Sequence, residues 1–403
     1  MQYKNNILKY KLVLLFLFGF LFSFSQLKLS NVAEVSIITV EAGEDLNDTW
    51  GHSAIRIHDK KLGFDAVYNY GTYDFDTPNF YTKFMRGKLL FDLGTNQFQY
   101  FLRHYKSVNR GVAEQVLNLT QEEKQTYFEY LQNNAKPENR KYLYDFFFDN
   151  CATKLRFVNT QVLQDKVLYK DELFSNDLTF RDLIYQKLDN HPWGKFGIDL
   201  ALGAVIDIEA TPKEFTFLPS YIFENFKTAQ VYREKGLEPL VKQTNVLFSQ
   251  RELSVQKIYF TPLYVFSILA LIVLLITYSD FNKKKQTKWL DFILLFTTGL
   301  LGLLVVLLWF ATDHSTTKNN FNVLWAFLPN LFFAFYVFKE NKQQILKKYY
   351  LQLIILLLIQ IILWIFKVQI FNLAMIPIIL LLGIRYYFNI KNNMVFITTK
   401  SDK

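Results

Sequence analysis

"HSAIRIHDKKLGFDAVYNYGTYDF", residues 52–75, contains two strand-like segments that are broken by glycine and aspartate. Both are rich in β-branched and aromatic residues, as is "EVSIITVEA" at 34–42, and this composition favours strands. Farther along, Thr120 and Glu123 form a capping box before "QEEKQTYFEYLQNN", and a helix is predicted from Cys151 through "ATKLRFVNTQVLQ". Strands followed by helices predict an α+β domain rather than a parallel α/β sheet.

The last third of the chain is too apolar for a soluble domain. The whole chain is 51% hydrophobic and 18% aromatic. The apolar excess begins at Thr261 and falls into segments near the ~20 residues that cross a bilayer as a helix. These segments are residues 261–278, 289–311, 321–338, 349–366 and 371–388. They predict an all-α transmembrane domain of five helices.

Basic residues in the connecting loops orient these helices. The first loop, the third loop and the tail are rich in lysine and arginine, whereas the second and fourth loops contain only Lys318 and Lys367. Because short cytoplasmic loops carry an excess of basic residues, the odd loops and the C-terminus are predicted to be cytoplasmic. Everything before Thr261 is then exported. This topology explains much of the net charge of +9, so no nucleic-acid partner is predicted.

The N-terminus agrees with export. Residues 1–26 have a basic start, an apolar core and small residues before Gln26, which is the layout of a secretory signal peptide, although an uncleaved anchor has a similar sequence. The predicted organisation is a signal peptide or anchor at 1–26, an exported α+β catalytic domain at 27–255, a membrane domain at 256–390 and a cytoplasmic tail at 391–403.

Cys151 is the only cysteine of the chain, so it cannot form an intramolecular disulfide. Asn150 is a preferred N-cap residue, which places Cys151 at the first helical position, where the helix dipole favours thiolate. Among the five histidines, His52 opens a strand directly after Gly51, and it is the best candidate for the base. A buried, unreactive cysteine is the alternative.

Several segments resemble one family, and they occur in order along the chain. They are "WGHSAIRI" (50–57), "YNYGTYDFDTPNFYTKFMRGKLLF" (68–91), "DFFFDNCATKLR" (145–156), "HPWGKFGIDLALG" (191–203) and "GLLGLLVVLLWFATDHSTTKNNFNVLWAFLPN" (299–330). They resemble the Lnb-type family of bacterial inner-membrane proteins, which have a periplasmic domain before a membrane domain. The resemblance implies transfer of an acyl chain from a phospholipid to the N-terminal amine of diacylated, exported lipoproteins.

The resemblance also implies a fold and a set of catalytic residues. The order of histidine, polar strand residue and helix-starting cysteine is similar to permuted papain-like enzymes, including NlpC-type peptidases and the lecithin–retinol acyltransferase group. Cys151 would be the nucleophile that carries the acyl chain as a thioester, and His52 the general base. Asn69 or Tyr70 would orient the imidazole. No nucleotide, metal or other cofactor is implied.

Other residues have supporting roles in this interpretation. Asp149 and Asn150 would cap the helix or help to shape the oxyanion hole, whose donor would be the backbone N–H of Cys151. The extracytoplasmic loop "TDHSTTKNN", residues 312–320, would bind a phosphate headgroup or the lipoprotein, unless it is an ordinary polar loop. Its candidate residues are Asp313, His314, Asn319 and Asn320.

Two other functions remain compatible with the sequence. A cysteine–histidine pair of this kind also suits a periplasmic peptidase or amidase that acts on the cell wall. A non-enzymatic membrane sensor or scaffold would not need the thiol at all. The stretch at 79–91 mixes aromatic and basic residues, which suits docking on anionic lipid headgroups or a half-buried part of the fold.

Overall fold

The computed structural model describes residues 27–174, 177–251 and 258–401, with side chains described as far as Lys391. Residues 27–251 form an α+β part, and the chain from residue 258 onward forms a helical part. The predicted signal peptide at 1–26 lies outside the described residues, and so does the predicted domain boundary near residue 255.

The α+β part is built on an antiparallel sheet. In chain order the strands are β1 (Glu34–Val40), β2 (His52–Asp59), β3 (Phe64–Thr72), β4 (Leu90–Gln97), β5 (Val112–Leu117), β6 (Lys141–Leu143), β7 (Val167–Leu168), β8 (Gln230–Arg233), β9 (Gly236–Pro239) and β10 (Val241–Phe248). Within the described residues, the main sheet has the order β10-β5-β1-β2-β3-β4-β6, and β7-β8-β9 form a small second sheet. The predicted strands at 34–42, 52–58 and 64–75 are confirmed as β1, β2 and β3.

Helices cover both faces of the main sheet. In chain order they are α1 (Phe80–Met85), α2 (Phe98–Ser107), α3 (Gln121–Asn134), α4 (Cys151–Leu163), α5 (Phe180–Tyr185), α6 (Pro192–Ala201) and α7 (Pro219–Thr228). Because successive strand residues point to opposite faces, Ile37 of β1 shares a buried cluster with Leu155 of α4. Its neighbour Ile38 belongs to a different buried cluster, which contains Phe101 of α2. The predicted α+β class is confirmed.

The helical part contains long apolar helices. It consists of α8 (Pro262–Lys283), α9 (Lys288–Phe310), α10 (Asn330–Phe333), α11 (Gln343–Ile365) and α12 (Met375–Ser401). In the part of the chain that the structure describes, three segments are long and apolar enough to cross a membrane: α8, α9 and the segment Glu340–Ile365 that contains α11. The fifth predicted block, 371–388, overlaps the first half of α12.

The third predicted block, residues 321–338, differs from the single continuous helix expected for it. It consists of a 3-10 segment at Phe321–Leu324, the short α10, and a second 3-10 segment at Ala334–Phe338. Pro329 precedes α10 and has no N–H for a helical hydrogen bond. The block also packs closely on α9. Membrane crossing by the third and fifth blocks therefore stays a prediction.

Buried polar contacts join the two parts of the molecule. The guanidinium of Arg181 donates to Asp199 and to Asp207, each at 2.6 Å. From the helical part, the amide of Asn372 donates to the second carboxylate oxygen of Asp199 at 2.8 Å. Asn322 donates to the backbone carbonyl of Asp199 at 2.9 Å. One buried aspartate thus connects the α+β part to two segments of the helical part, through its carboxylate and its backbone carbonyl.

Arg181→Met should destabilise the whole protein, because it leaves two buried carboxylates without their cation. We expect a loss of about 3–5 kcal/mol in the free energy of unfolding, measured by chemical denaturation of the full chain in detergent. Lys227→Met is the control, since Lys227 forms an exposed pair with Glu224 at 3.3 Å, and we expect less than about 1 kcal/mol. Equal losses in the two variants would contradict the structural role of Arg181.

Candidate active site

Asn150 caps α4, the helix that begins with the cysteine. Its side-chain oxygen accepts the N–H groups of Ala152 at 2.8 Å and Thr153 at 2.9 Å. Its side-chain amide donates to the carbonyl oxygens of Phe146 at 2.7 Å and Phe217 at 2.8 Å. The prediction that Asn150 is the N-cap is confirmed. Because both ends of its amide are engaged, Asn150 holds the helix in place rather than offering a free group to a substrate.

His52 lies between the thiol of Cys151 and the side chain of Asn69. Its Nε2 atom is 2.5 Å from Asn69 Oδ1, and its ring also hydrogen-bonds the thiol. An amide oxygen only accepts, so Nε2 donates to Asn69 and leaves Nδ1 for the thiol. Gly51 permits the tight entry into β2 beside β1, because it has φ +83° and a Cβ there would lie 2.7 Å from the carbonyl oxygen of Val40. The three side chains have the arrangement expected of a nucleophile, a base and an orienting group.

The thiol and the imidazole shift each other's pKa. Burial raises the pKa of Cys151, but the charge and hydrogen bond of His52 lower it, and the backbone N–H groups of Ser53 and Ala152 add to this effect. The net pKa of the thiol is below its ordinary value. Burial lowers the pKa of His52, yet the charge of the Cys151 thiolate and hydrogen bonds to Cys151 and Asn69 raise it overall. Both shifts favour a thiolate–imidazolium pair.

The Cys151 thiol lines a cavity of about 590 Å³. Part of the lining is a group of aromatic side chains that we call the aromatic wing: Tyr73, Phe75, Phe80, Phe84, Phe91 and Tyr144. Tyr73 and Phe75 follow β3, Phe80 and Phe84 lie on α1, Phe91 lies on β4, and Tyr144 follows β6. These strands lie on one side of β2 in the sheet. Among the residues that the structure describes, no group of three or more His, Cys, Asp or Glu is placed to hold a metal ion.

Arg110 and Tyr105 line the same cavity on the other side of β2, and no sequence pattern predicted them. Arg110 is 4% exposed and pairs with Asp48 at 3.0 Å. Its guanidinium lies over the ring of Tyr105, 5.0 Å from the centroid, and that ring lies 6.4 Å from the ring of His52. Arg110 precedes β5, which pairs with β1, so only long-range strand pairing brings it to the site.

The structure separates the two candidates for the orienting residue. Asn69 contacts His52, whereas Tyr70 is 2% exposed and its hydroxyl accepts a hydrogen bond from Asn134 at 3.2 Å. Neighbouring strand residues face opposite ways, so Tyr70 lies in the core, where burial raises its pKa. Tyr70 is therefore not placed to orient the imidazole of His52. Asp149 pairs with Lys154 at 2.7 Å on the outer side of the helix start.

The loop 312–320 contacts the α+β part near the aromatic wing. The backbone N–H of Asp313 donates to the carbonyl of Arg86 at 2.9 Å, and its carboxylate lies 3.5 Å from Lys88. His314 Nε2 lies 3.2 Å from the carbonyl oxygen of Phe84. The loop therefore lies at the same end of the helical part as the cysteine site. A contact of Asp313 or His314 with lipid or lipoprotein stays a prediction.

Asn319 and Asn320, the other two loop candidates, lie in the contact between the two parts. The carbonyl of Asn319 accepts the N–H of Ala204 at 3.0 Å. Asn320 is fully buried, and its amide donates to the carbonyls of Leu200 at 2.8 Å and Ala201 at 3.1 Å. The prediction that Asn320 binds a headgroup is corrected by this burial, because its amide is already bonded to the protein backbone.

Fold and site together define an α+β domain with a cysteine–histidine–asparagine centre, held against a helical membrane part. A family model described as the Lnb N-terminal periplasmic domain matches residues 22–184, and one described as the Lnb transmembrane domain matches residues 254–395. The chain belongs to the Lnb-type family and is a membrane protein with a periplasmic domain. No curated protein and no solved structure matches it.

The single thiol permits a direct test of the pKa shifts. The rate of alkylation of Cys151 by iodoacetamide should rise with a midpoint pH below that of an ordinary cysteine, because His52 stabilises the thiolate. Above that midpoint the thiolate persists, and below it the thiol is protonated and the rate falls. The measurement is the intact mass of the full chain over time at a series of pH values.

His52→Ala removes the charge and the hydrogen bond, so burial then dominates and the midpoint should move upward, past the ordinary thiol value. His58→Ala is the matched control, since His58 is on the same strand but outside the cavity, and it should leave the midpoint in place. An unchanged midpoint in His52→Ala would show that the two groups are not coupled.

Proposed function

We propose that this protein is a lipoprotein N-acyltransferase. It moves an acyl chain from a phospholipid to the N-terminal amine of a diacylated lipoprotein, through a thioester on Cys151. The observation that carries this proposal is the environment of the Cys151 thiol. Cys151 pairs with His52 and lines a cavity whose aromatic wing adjoins the membrane part.

In the first half-reaction, Cys151 Sγ attacks the ester carbonyl carbon of the phospholipid. A carbon–sulfur bond forms, and the ester carbon–oxygen bond breaks. His52 holds the thiol proton and passes it to the leaving glycerol oxygen, so a lysophospholipid with a free hydroxyl departs. The tetrahedral oxyanion lies at the start of α4, where the N–H of Cys151 is among the groups with no partner within the helix.

In the second half-reaction, the lipoprotein amine attacks the thioester. The nitrogen–carbon bond forms, the carbon–sulfur bond breaks, and His52 accepts the amine proton, which restores the thiolate–imidazolium pair. The product is an amide, and amide formation from a thioester is downhill. The scheme is ping-pong and uses no nucleotide, metal or other cofactor.

The proposal includes a topology and a fold type. The periplasmic domain lies outside the bacterial inner membrane, the helical part crosses it several times, and the C-terminus is cytoplasmic, as the basic loops indicate. His52 on β2 precedes Cys151 on α4 in the chain, which is the order of permuted papain-like enzymes. Asn69 completes the centre by orienting the imidazole.

The first test supplies the purified full chain with phospholipid and a synthetic diacyl lipopeptide. We expect the lipopeptide to gain the mass of one acyl chain and the enzyme to carry an acyl group on Cys151 before the peptide is added. Cys151→Ser and His52→Ala should both abolish amide formation, because one lacks the thiol and the other lacks the base. Intact mass spectrometry of both components gives the result.

The rival functions have different outcomes in the same experiment. Cleavage of muropeptides without amide formation would overturn acyl transfer in favour of a cell-wall peptidase or amidase. Full cellular function of Cys151→Ser would instead indicate a sensor or scaffold. The mass of lipoproteins from a deletion strain adds an independent readout: loss of one acyl chain supports transfer from phospholipid.

A second test concerns Asn69. Asn69→Ala should lower kcat by about 10–100-fold, because it removes a hydrogen bond of about 1.5–3 kcal/mol to the charged imidazolium. The loss of this bond should also lower the pKa of His52, which moves the alkaline limb of the pH–rate profile to lower pH. Asn69→Asp keeps the accepting oxygen and should recover part of the rate. Tyr70→Phe should leave both kcat and the profile near wild type.

A further inference from the structure

We propose that the aromatic wing binds the acyl chain of the donor phospholipid while Cys151 removes it. This inference rests on the proposed acyl transfer and identifies the part of the cavity that binds the acyl chain. The ester carbonyl then lies at the thiol, and the glycerol and phosphate lie toward Arg110.

The rings of the wing form a continuous apolar surface within the cavity. Tyr144 stacks on Phe91 with centroids 4.6 Å apart, and Phe91 lies 5.4 Å from Tyr73. Tyr73 lies 5.1 Å from Phe75, and Phe75 lies 4.8 Å from Phe80. Each ring touches the next at the usual separation of aromatic pairs. A ligand that follows this surface meets aromatic rings along its length.

Several rings of the wing are exposed although they lie beside a reactive centre. Phe75 is 65% exposed, Phe84 is 53% exposed and Tyr73 is 46% exposed. Single exposed apolar side chains are common, but a contiguous exposed patch marks a binding surface. Because the patch lines the same cavity as the thiol, its ligand is apolar and reaches Cys151.

The position of the wing relative to the membrane part identifies the source of that ligand. The turn after α1 packs closely against the residues that follow α9. Gly87 has φ +66°, and a Cβ there would lie 3.1 Å from the backbone nitrogen of His314. Phe310, the last residue of α9, is 72% exposed. The wing therefore lies where a membrane helix ends, within reach of lipid chains.

The part of the cavity beside β1 and β5 carries charged side chains instead. Arg110 and Asp48 line it on the β1–β5 side of β2, and the Nη2 atom of Arg110 is buried with no hydrogen-bond partner among the described residues. A charged guanidinium suits the polar headgroup of a phospholipid and not an alkyl chain. This difference in polarity orients a phospholipid with its chain along the wing.

The test compares donors of different chain length on the full protein in detergent. The rate of thioester formation on Cys151 is measured by intact mass with dioctanoyl- and dipalmitoyl-phosphatidylglycerol. In Phe75→Ser the ratio of the long-chain rate to the short-chain rate should fall by about tenfold, because apolar contact with the far part of the chain is lost. The alkylation rate of Cys151 verifies that the site is intact in each variant.

Phe157→Ser is the matched control. Phe157 is a 50% exposed phenylalanine on α4 that does not line the catalytic cavity, and the variant should keep the wild-type ratio.

A wild-type ratio in Phe75→Ser, with thioester still forming, would overturn the assignment of the wing and leave acyl transfer standing. If Phe75→Ser keeps the wild-type ratio of long-chain to short-chain rates but has a raised KM for the lipopeptide, the wing binds the acyl chains of the acceptor. That result would also refute the assignment of the wing to the donor chain. No thioester in the wild type with any phospholipid would refute acyl transfer itself, and the wing assignment with it.

Discussion

The hydrogen bonds of the Asn150 side chain are the contacts on which the cysteine site depends. Its oxygen holds the first turn of α4, and its amide donates to the carbonyl of Phe146, four residues earlier, and to that of Phe217, which is distant in the chain. Because Asn150 is only 3% exposed, water does not compete for these bonds. The side chain therefore fixes the direction of the helix and the place of the thiol at once. A threonine or serine cap would hold the helix but could not donate two such bonds.

The features that could be predicted from the sequence depend on neighbours in the chain. Asn150 with Thr153, and Thr120 with Glu123, are caps whose partners lie three residues away, so local chemistry is enough to locate both helix starts. The strands β1 to β3 follow from β-branched and aromatic runs. The choice of His52 rested on its place at a strand start after a glycine, and the structure puts its ring beside the thiol.

The features that could not be predicted depend on how distant segments pair. Alternation along β3 places Asn69 and Tyr70 on opposite faces, but nothing local says which face meets His52. Arg110 reaches the cavity only because β5 pairs with β1. The third apolar block packs closely on Gly302 of α9, where a Cβ would lie 2.2 Å from the carbonyl oxygen of Ala326. The hydropathy of the sequence gives no information about that contact.

The loop 312–320 shows why polar residues near a membrane are poor guides to substrate contacts. Backbone carbonyls at the ends of α6 need hydrogen-bond donors when they are buried, and Asn320 supplies them. With Ser315 bonded to Asp145 at 2.7 Å, the same loop also reaches the segment before Cys151. The α+β part that contains the cavity is thus fixed to the helical part by direct hydrogen bonds. For the proposed thioester this geometry would have a chemical consequence. Because Cys151 is only 7% exposed, water would have little access to the acyl carbon, and an amine delivered at the cavity mouth would react before hydrolysis does.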